Sequence, residues 1–277
     1  MNTPPPGAGP LAAFLGTRCA DGGRRCLIID STEYAATVLL QGREIPWADG
    51  TAVAAHLAQS QALLKSAAVL LPLDAMIRWR LAGATTGDPL IEAMSAKSRP
   101  GYAARALLGD ASLRDAVKQL AVATAAVIRE PVLVHVPAPA DLLALADRAV
   151  NGADSGTVFD DDRAENAAVY LSDWLRTFAG TGVSGLVIDE RWTDSGGQVL
   201  GPVLNVADHY RWPVAHRTAD ALRFRSADGG TVNVPVLDSG YWLAEPETVP
   251  DGEFLMTEIA GGAVPEQVLS RLAELRG

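Results

Sequence analysis

Short apolar runs that stop at an acid or a base punctuate this chain. Leu27-Ile28-Ile29 ends at Asp30, Val69-Leu70-Leu71-Pro72-Leu73 at Asp74, and Val132-Leu133-Val134 at His135. Leu186-Val187-Ile188 leads into Asp189-Glu190, Val214-Ala215 into His216-Arg217, and Val234-Pro235-Val236-Leu237 into Asp238. Aliphatic runs this short, without polar alternation, read as strands buried on both faces. Such strands belong to parallel sheets covered by helices, where ligands sit just beyond the carboxyl ends of the strands. The run ends therefore predict one polar rim.

Between the runs the apolar spacing turns helical. Asp49-Gly50-Thr51 can start a helix through Val53, Leu57, Leu63 and Leu64, and Ser112 can cap a long one through Leu113, Val117, Leu120 and Ile128. Asp160-Asp161-Asp162 opens a helix through Leu171 and Trp174 that Gly180 closes, its acids complementing the helix dipole. A terminal helix carries Pro265 in its first turn. Residues 84–101 read as loop or short helices, and Ala219 to Phe224 as a short helix. Strands are expected near 26–30, 67–73, 132–135, 184–189, 213–216, 231–237, 241–244 and 254–258. This alternation predicts an α/β fold, a single (β/α)8 TIM-like barrel, with an open doubly wound parallel sheet as the alternative. The latter is weakened because Asp30-Ser31-Thr32-Glu33 follows the first strand in place of a GxGxxG turn. Residues 1–10 read as a disordered Pro/Gly lead and 11–277 as one barrel domain.

Composition narrows the partners. A chain of 277 residues with 48% hydrophobic content can bury a sizeable core. With 33 acidic against 23 basic residues the net charge is −10, a poor match to nucleic acid or anionic membranes. No apolar stretch approaches the roughly 20 residues of a membrane helix. The start lacks a basic n-region and an apolar h-region, so a cytoplasmic protein acting on a small molecule is expected, with self- or hetero-association left open. The two cysteines, Cys19 and Cys26, lack CxxC spacing and read as reduced thiols.

Three segments carry a family resemblance: Pro131 to Pro139 with its following Leu-rich helix, Tyr170 to Glu190, and Leu255 to the end. They resemble the uroporphyrinogen decarboxylase and cobalamin-independent methionine synthase superfamily of barrels. The resemblance covers about half the chain and contains no specific catalytic signature. The methyltransferase branch holds zinc through late cysteines, whereas this chain has none after Cys26. The resemblance thus implies a barrel whose inherited active site is emptied or rebuilt, in which Asp189-Glu190 matches the acidic end of a central strand.

The residues at the rim suggest acid–base chemistry. Asp30 would be partly desolvated, which raises a carboxyl pKa, and His135 can titrate near neutrality. Asp189 and Glu190 are adjacent, so a strand sends one inward and one outward. Asp30, His135 and this pair are the expected catalytic residues. Glu33, Asp74, Arg78, His216, Arg217, Asp238 and Tyr241 are the expected substrate contacts, the arginines gripping anionic groups. Asp74 and Arg78, four apart, could equally form a helix-surface ion pair. No P-loop, HExxH, GxSxG or EF-hand pattern occurs, and no pair of residues has metal-ligand spacing. Without metal or cofactor, the expectation is elimination, decarboxylation or ring-closing displacement on a small polar metabolite, natural-product intermediates included. One-carbon transfer and a non-catalytic, ligand-binding or partner-completing barrel are the alternatives.

Overall fold

A computed structural model describes residues 25–277 except 86, 156, 193–198, 226–230 and 244–247. The expected Pro/Gly lead at 1–10 lies outside the described residues. Among the described residues eight strands form one sheet: β1 (Cys26–Asp30), β2 (Val69–Pro72), β3 (Val132–Pro137), β4 (Gly185–Asp189), β5 (Val214–Arg217), β6 (Ala221–Arg225), β7 (Thr231–Leu237) and β8 (Phe254–Glu258). Among the described residues there are ten α-helices: α1 (Thr32–Leu39), α2 (Gly50–Leu64), α3 (Leu73–Ala82), α4 (Pro89–Ser95), α5 (Tyr102–Gly109), α6 (Ala111–Val127), α7 (Pro139–Asn151), α8 (Asp161–Leu175), α9 (Gly201–Tyr210) and α10 (Pro265–Arg276). None of them is long and apolar enough to cross a membrane.

The strand order is β1-β8-β7-β6-β5-β4-β3-β2. Its two ends meet. Ala67 N donates to Leu27 O at 2.7 Å. Ser66 Oγ accepts from Ile29 N at 2.9 Å and donates to Ala68 O at 2.6 Å. A side-chain hydroxyl thus takes over where the β1–β2 ladder is incomplete, and the sheet becomes a nearly closed barrel. That near-closure excludes the open doubly wound sheet.

The sheet is mixed, which corrects the purely parallel expectation. β6 runs antiparallel to both β5 and β7, while the other pairings are parallel. The stretch expected to be a short helix is β6 itself. Leu222 and Phe224 are buried and alternate with outward Arg223 and Arg225, a period of two. Only Thr218-Ala219-Asp220 separate β5 from β6. The turn closes through Thr218 N to Ala221 O, 2.9 Å, and Thr218 Oγ1 to Asp220 Oδ1, 2.8 Å. No crossover helix fits in so short a connection. The strand expected at 241–244 is also absent where described. Ser239–Leu243 is a 3-10 turn whose buried Trp242 donates Nε1–H to Thr257 Oγ1 at 2.7 Å.

Strand alternation sorts the core into layers. Ile28, Leu70, Leu133, Val187, Ala215, Phe224, Val234 and Met256 fill the barrel. Leu71, Val134, Ile188 and Val214 point outward to the helices, where Trp174 meets Phe178 edge-on at 5.3 Å. Each fully buried side chain of this size contributes about 1.5–3 kcal/mol. Gly185 opens β4 where a Cβ would come within 2.9 Å of Pro213 O, so the β4–β5 contact requires glycine. Helix α6 is capped by Asp110, whose Oδ1 accepts from Leu113 N at 2.7 Å, rather than by Ser112. Cys26 is disulfide-bonded, so the expected free thiol does not exist there.

Candidate active site

Directly above the apolar filling, the next inward position on five strands is charged. Ile28 is followed two residues on by Asp30, Leu133 by His135, Val187 by Asp189, Ala215 by Arg217 and Met256 by Glu258. Register places Asp30 beside Glu258 and Asp189 beside Arg217. His135 pairs in register with Pro72, and Asp74 stands two residues beyond, in the first turn of α3.

His135 lies between two carboxylates. Its Nε2 is 3.3 Å from Asp189 Oδ2 and its Nδ1 is 3.6 Å from Asp74 Oδ1. Both are ion-pair distances without hydrogen-bond alignment, and Asp74 Oδ1 is likewise buried without a hydrogen bond. Burial opposes the imidazolium. The charge of Asp74, the interaction with Asp189 and the charge of Asp30 outweigh it and push the pKa up to about 9. Burial would raise Asp189, but His135 and Arg191 hold it well below the usual carboxylate range.

Arg191 ties the mouth together. Its Nε donates to Asp189 Oδ1 at 2.9 Å, Nη2 to Asp189 Oδ2 at 2.6 Å, and Nη1 to Glu258 Oε2 at 2.7 Å. The Asp189 bond leads in raising the Arg191 pKa, against the cost of burial. Arg217 is buried below, and its pKa is lowered by burial and then by the charge of Arg191. Burial, then the charge of Asp30, raises the Glu258 pKa against the opposing pull of Arg191. Asp30 Oδ1 accepts from Thr32 N at 3.1 Å and from Thr32 Oγ1 at 2.8 Å, and Oδ2 has no hydrogen bond among the described residues.

A cavity of about 620 Å³ opens over this layer. Of the expected site residues, Asp30, Glu33, Asp74, Arg78 and Asp189 line it. His135, 3% exposed, sits just behind Asp74 and Asp189, and Arg217 is packed inside the barrel. Glu190 and His216 face outward, joined through Glu190 Oε1 and His216 Nδ1 at 3.1 Å. Asp238 serves its own turn, accepting from Gly240 N at 2.8 Å. Tyr241 packs on Trp242 and under Arg271 of α10, away from the cavity.

Four further charged residues line it outside the expected set: Glu258, Arg191, Asp141 and Arg148. Glu258 ends Leu255-Met256-Thr257, the same apolar-then-acid wording as the other strands. Asp141, Ala144 and Arg148 are spaced three and four apart on one face of α7. Among the described residues no three His, Cys, Asp or Glu side chains are placed to hold a metal ion. Comparison with protein-family models, curated proteins and solved structures returned no match.

Proposed function

We infer that the chain is an acid–base enzyme of lyase or cyclase type, acting on a small polar metabolite by elimination, decarboxylation or intramolecular ring closure. The observation that carries this reading is the inward charged layer beneath an open cavity, with His135 held between Asp74 and Asp189. Buried charge of this density costs folding energy and concentrates where proton transfer is needed. Asp30 and Glu258 reach the cavity and take the proton-transfer roles. Glu258 suits the acid, because burial and Asp30 favour its protonated form. Asp30 suits the base, with Oδ2 unengaged. His135 does not line the cavity and acts as a positioning residue, through Asp74 and Asp189. Its loose ion pairs would tighten when a ligand displaces water. Arg191 orients Asp189 and Glu258.

Seven parallel strands with the polar layer at their carboxyl ends also support reading the fold as a rearranged (β/α)8 barrel, one antiparallel strand replacing a β/α unit. Descent from the decarboxylase and methionine synthase-like barrels rests on the three local segments alone.

The test is a screen of small hydroxy and amino acids for turnover by the wild type, followed by D30N, E258Q and H135Q. Loss of about 100-fold or more in kcat is expected for D30N and for E258Q, the range of acid–base catalysis. H135Q should alter the pH profile as well as the rate. Full turnover in folded D30N and E258Q would sink the assignment.

A further inference from the structure

The outer part of the cavity is built differently from its floor. Arg78 on α3 and Arg148 on α7 both line it, both are exposed, and neither forms an ion pair among the described residues. For Arg78 this is unexpected, since Asp74 lies one helical turn before it, where an ion pair ordinarily forms. Asp74 instead faces His135. For Arg148 the adjacent carboxylate is also taken: Asp147 accepts from Asn151 Nδ2 at 2.8 Å and from Ser155 Oγ. The contrast is local. Arg80, two residues on from Arg78, binds Asp88 in bidentate fashion at 2.9 Å through each nitrogen, and Arg191 in the same cavity is fully engaged.

Two unpaired guanidinium groups on one concavity repel each other, and an anion between them converts that repulsion into charge-assisted hydrogen bonds. The Asp30 carboxylate at the floor would repel the same anion, so the floor must meet a hydrogen-bonding, uncharged part of the ligand. We propose that Arg78 and Arg148 form an anion clamp, and that the substrate is a small hydroxy acid or hydroxyalkyl phosphate whose anionic group sits between these arginines while its hydroxyl reaches Asp30 and Glu258. The hydroxyl's role as the reacting group rests on the acid–base function inferred above. The clamp itself does not.

Titration calorimetry of the full chain with glycerate and with glycerol phosphate at millimolar concentration tests it, the tighter of the two telling carboxylate from phosphate. At least one should bind the wild type. R78Q and R148Q should each weaken it about tenfold, the loss expected for one charge-assisted contact, and the double variant should abolish it. R78K and R148K, which keep charge without the fork, should recover part of the affinity. Both arginines are exposed, so melting temperatures should stay at the wild-type value. D30N/E258Q should bind the probes at least as well as wild type, because floor repulsion is removed. Retained binding there alongside unimpaired turnover would remove the acid–base reading and leave the clamp standing. Failure of both probes to bind the wild type, or binding indifferent to both arginines, overturns the clamp.

Discussion

Two histidine–carboxylate pairs sit on β4 and β5 and their neighbours, one residue out of phase, and differ in almost every physical respect. Asp189 faces into the barrel with His135, both nearly inaccessible, under the pull of Asp74, Asp30 and Arg191. Glu190, the next residue, faces the helix side and meets His216 at 3.1 Å, with the histidine side chain 19% exposed. Burial opposes the charge on the inner histidine, but Asp74, Asp189 and Asp30 together outweigh it and push it up to about 9. The outer pair has the better hydrogen-bond distance and, among the described residues, its histidine has one ion-pair partner. Chemical identity is nearly the same in both. What separates them is how many charges share a dry space, because screening by water weakens the outer interaction.

The largest expected difference follows from breaking each pair at its carboxylate. D189N should destabilise the fold by about 3–5 kcal/mol, since the buried His135 and the partly buried Arg191 each lose one of their two carboxylate partners. E190Q should cost no more than about 1 kcal/mol. Denaturant unfolding of the two variants measures this, and equal losses would refute the distinction.

A smaller effect, specific to the inner pair, is its pH dependence. The His135 pKa stands at about 9 against an ordinary 6.5. A raised folded-state pKa means the unfolded chain releases the proton first as pH rises. The stabilisation is therefore fully present below about 6.5 and is lost as pH passes through about 9, on the order of 3 kcal/mol in all. Unfolding free energies measured between those limits should fall for wild type and for H216Q, and should stay nearly flat for H135Q. A slope that survives H135Q would assign the proton to another group.

Why the sequence foretold the rim but not its phase is visible at β4. Leu186-Val187-Ile188 is apolar on both faces, so nothing in it says whether Val187 or Ile188 fills the barrel. The choice between Asp189 and Glu190 is made by register with β3 and β5, a long-range property. Asp30 and Asp74 were legible because each follows its run alone. Glu258 carries the same local signal, whereas Arg148 carries none, since helical spacing does not say which face looks into a cavity. The alternation Leu222-Arg223-Phe224-Arg225 was readable as a strand, and expecting a helix after every strand obscured it. Asp238 and Tyr241 show the opposite limit: an acid after an apolar run can serve only its own turn.

The smallest expected effect isolates the outer pair. In a double-mutant cycle with E190Q and H216Q, the coupling energy reports the interaction after general effects of each substitution cancel. Glu190 also anchors backbone, its N donating to Arg217 O at 2.8 Å, but neither substitution touches that bond. A partly wet pair with one hydrogen bond should couple by about 0.5–1 kcal/mol. The corresponding cycle on Asp189 and His135 should give several times as much, because removal of either leaves a nearly inaccessible charge without that partner. Coupling energies of the same size in the two cycles would mean that the inward layer is no drier than the barrel's outer face, and the case for a tuned proton site at the mouth would go with it.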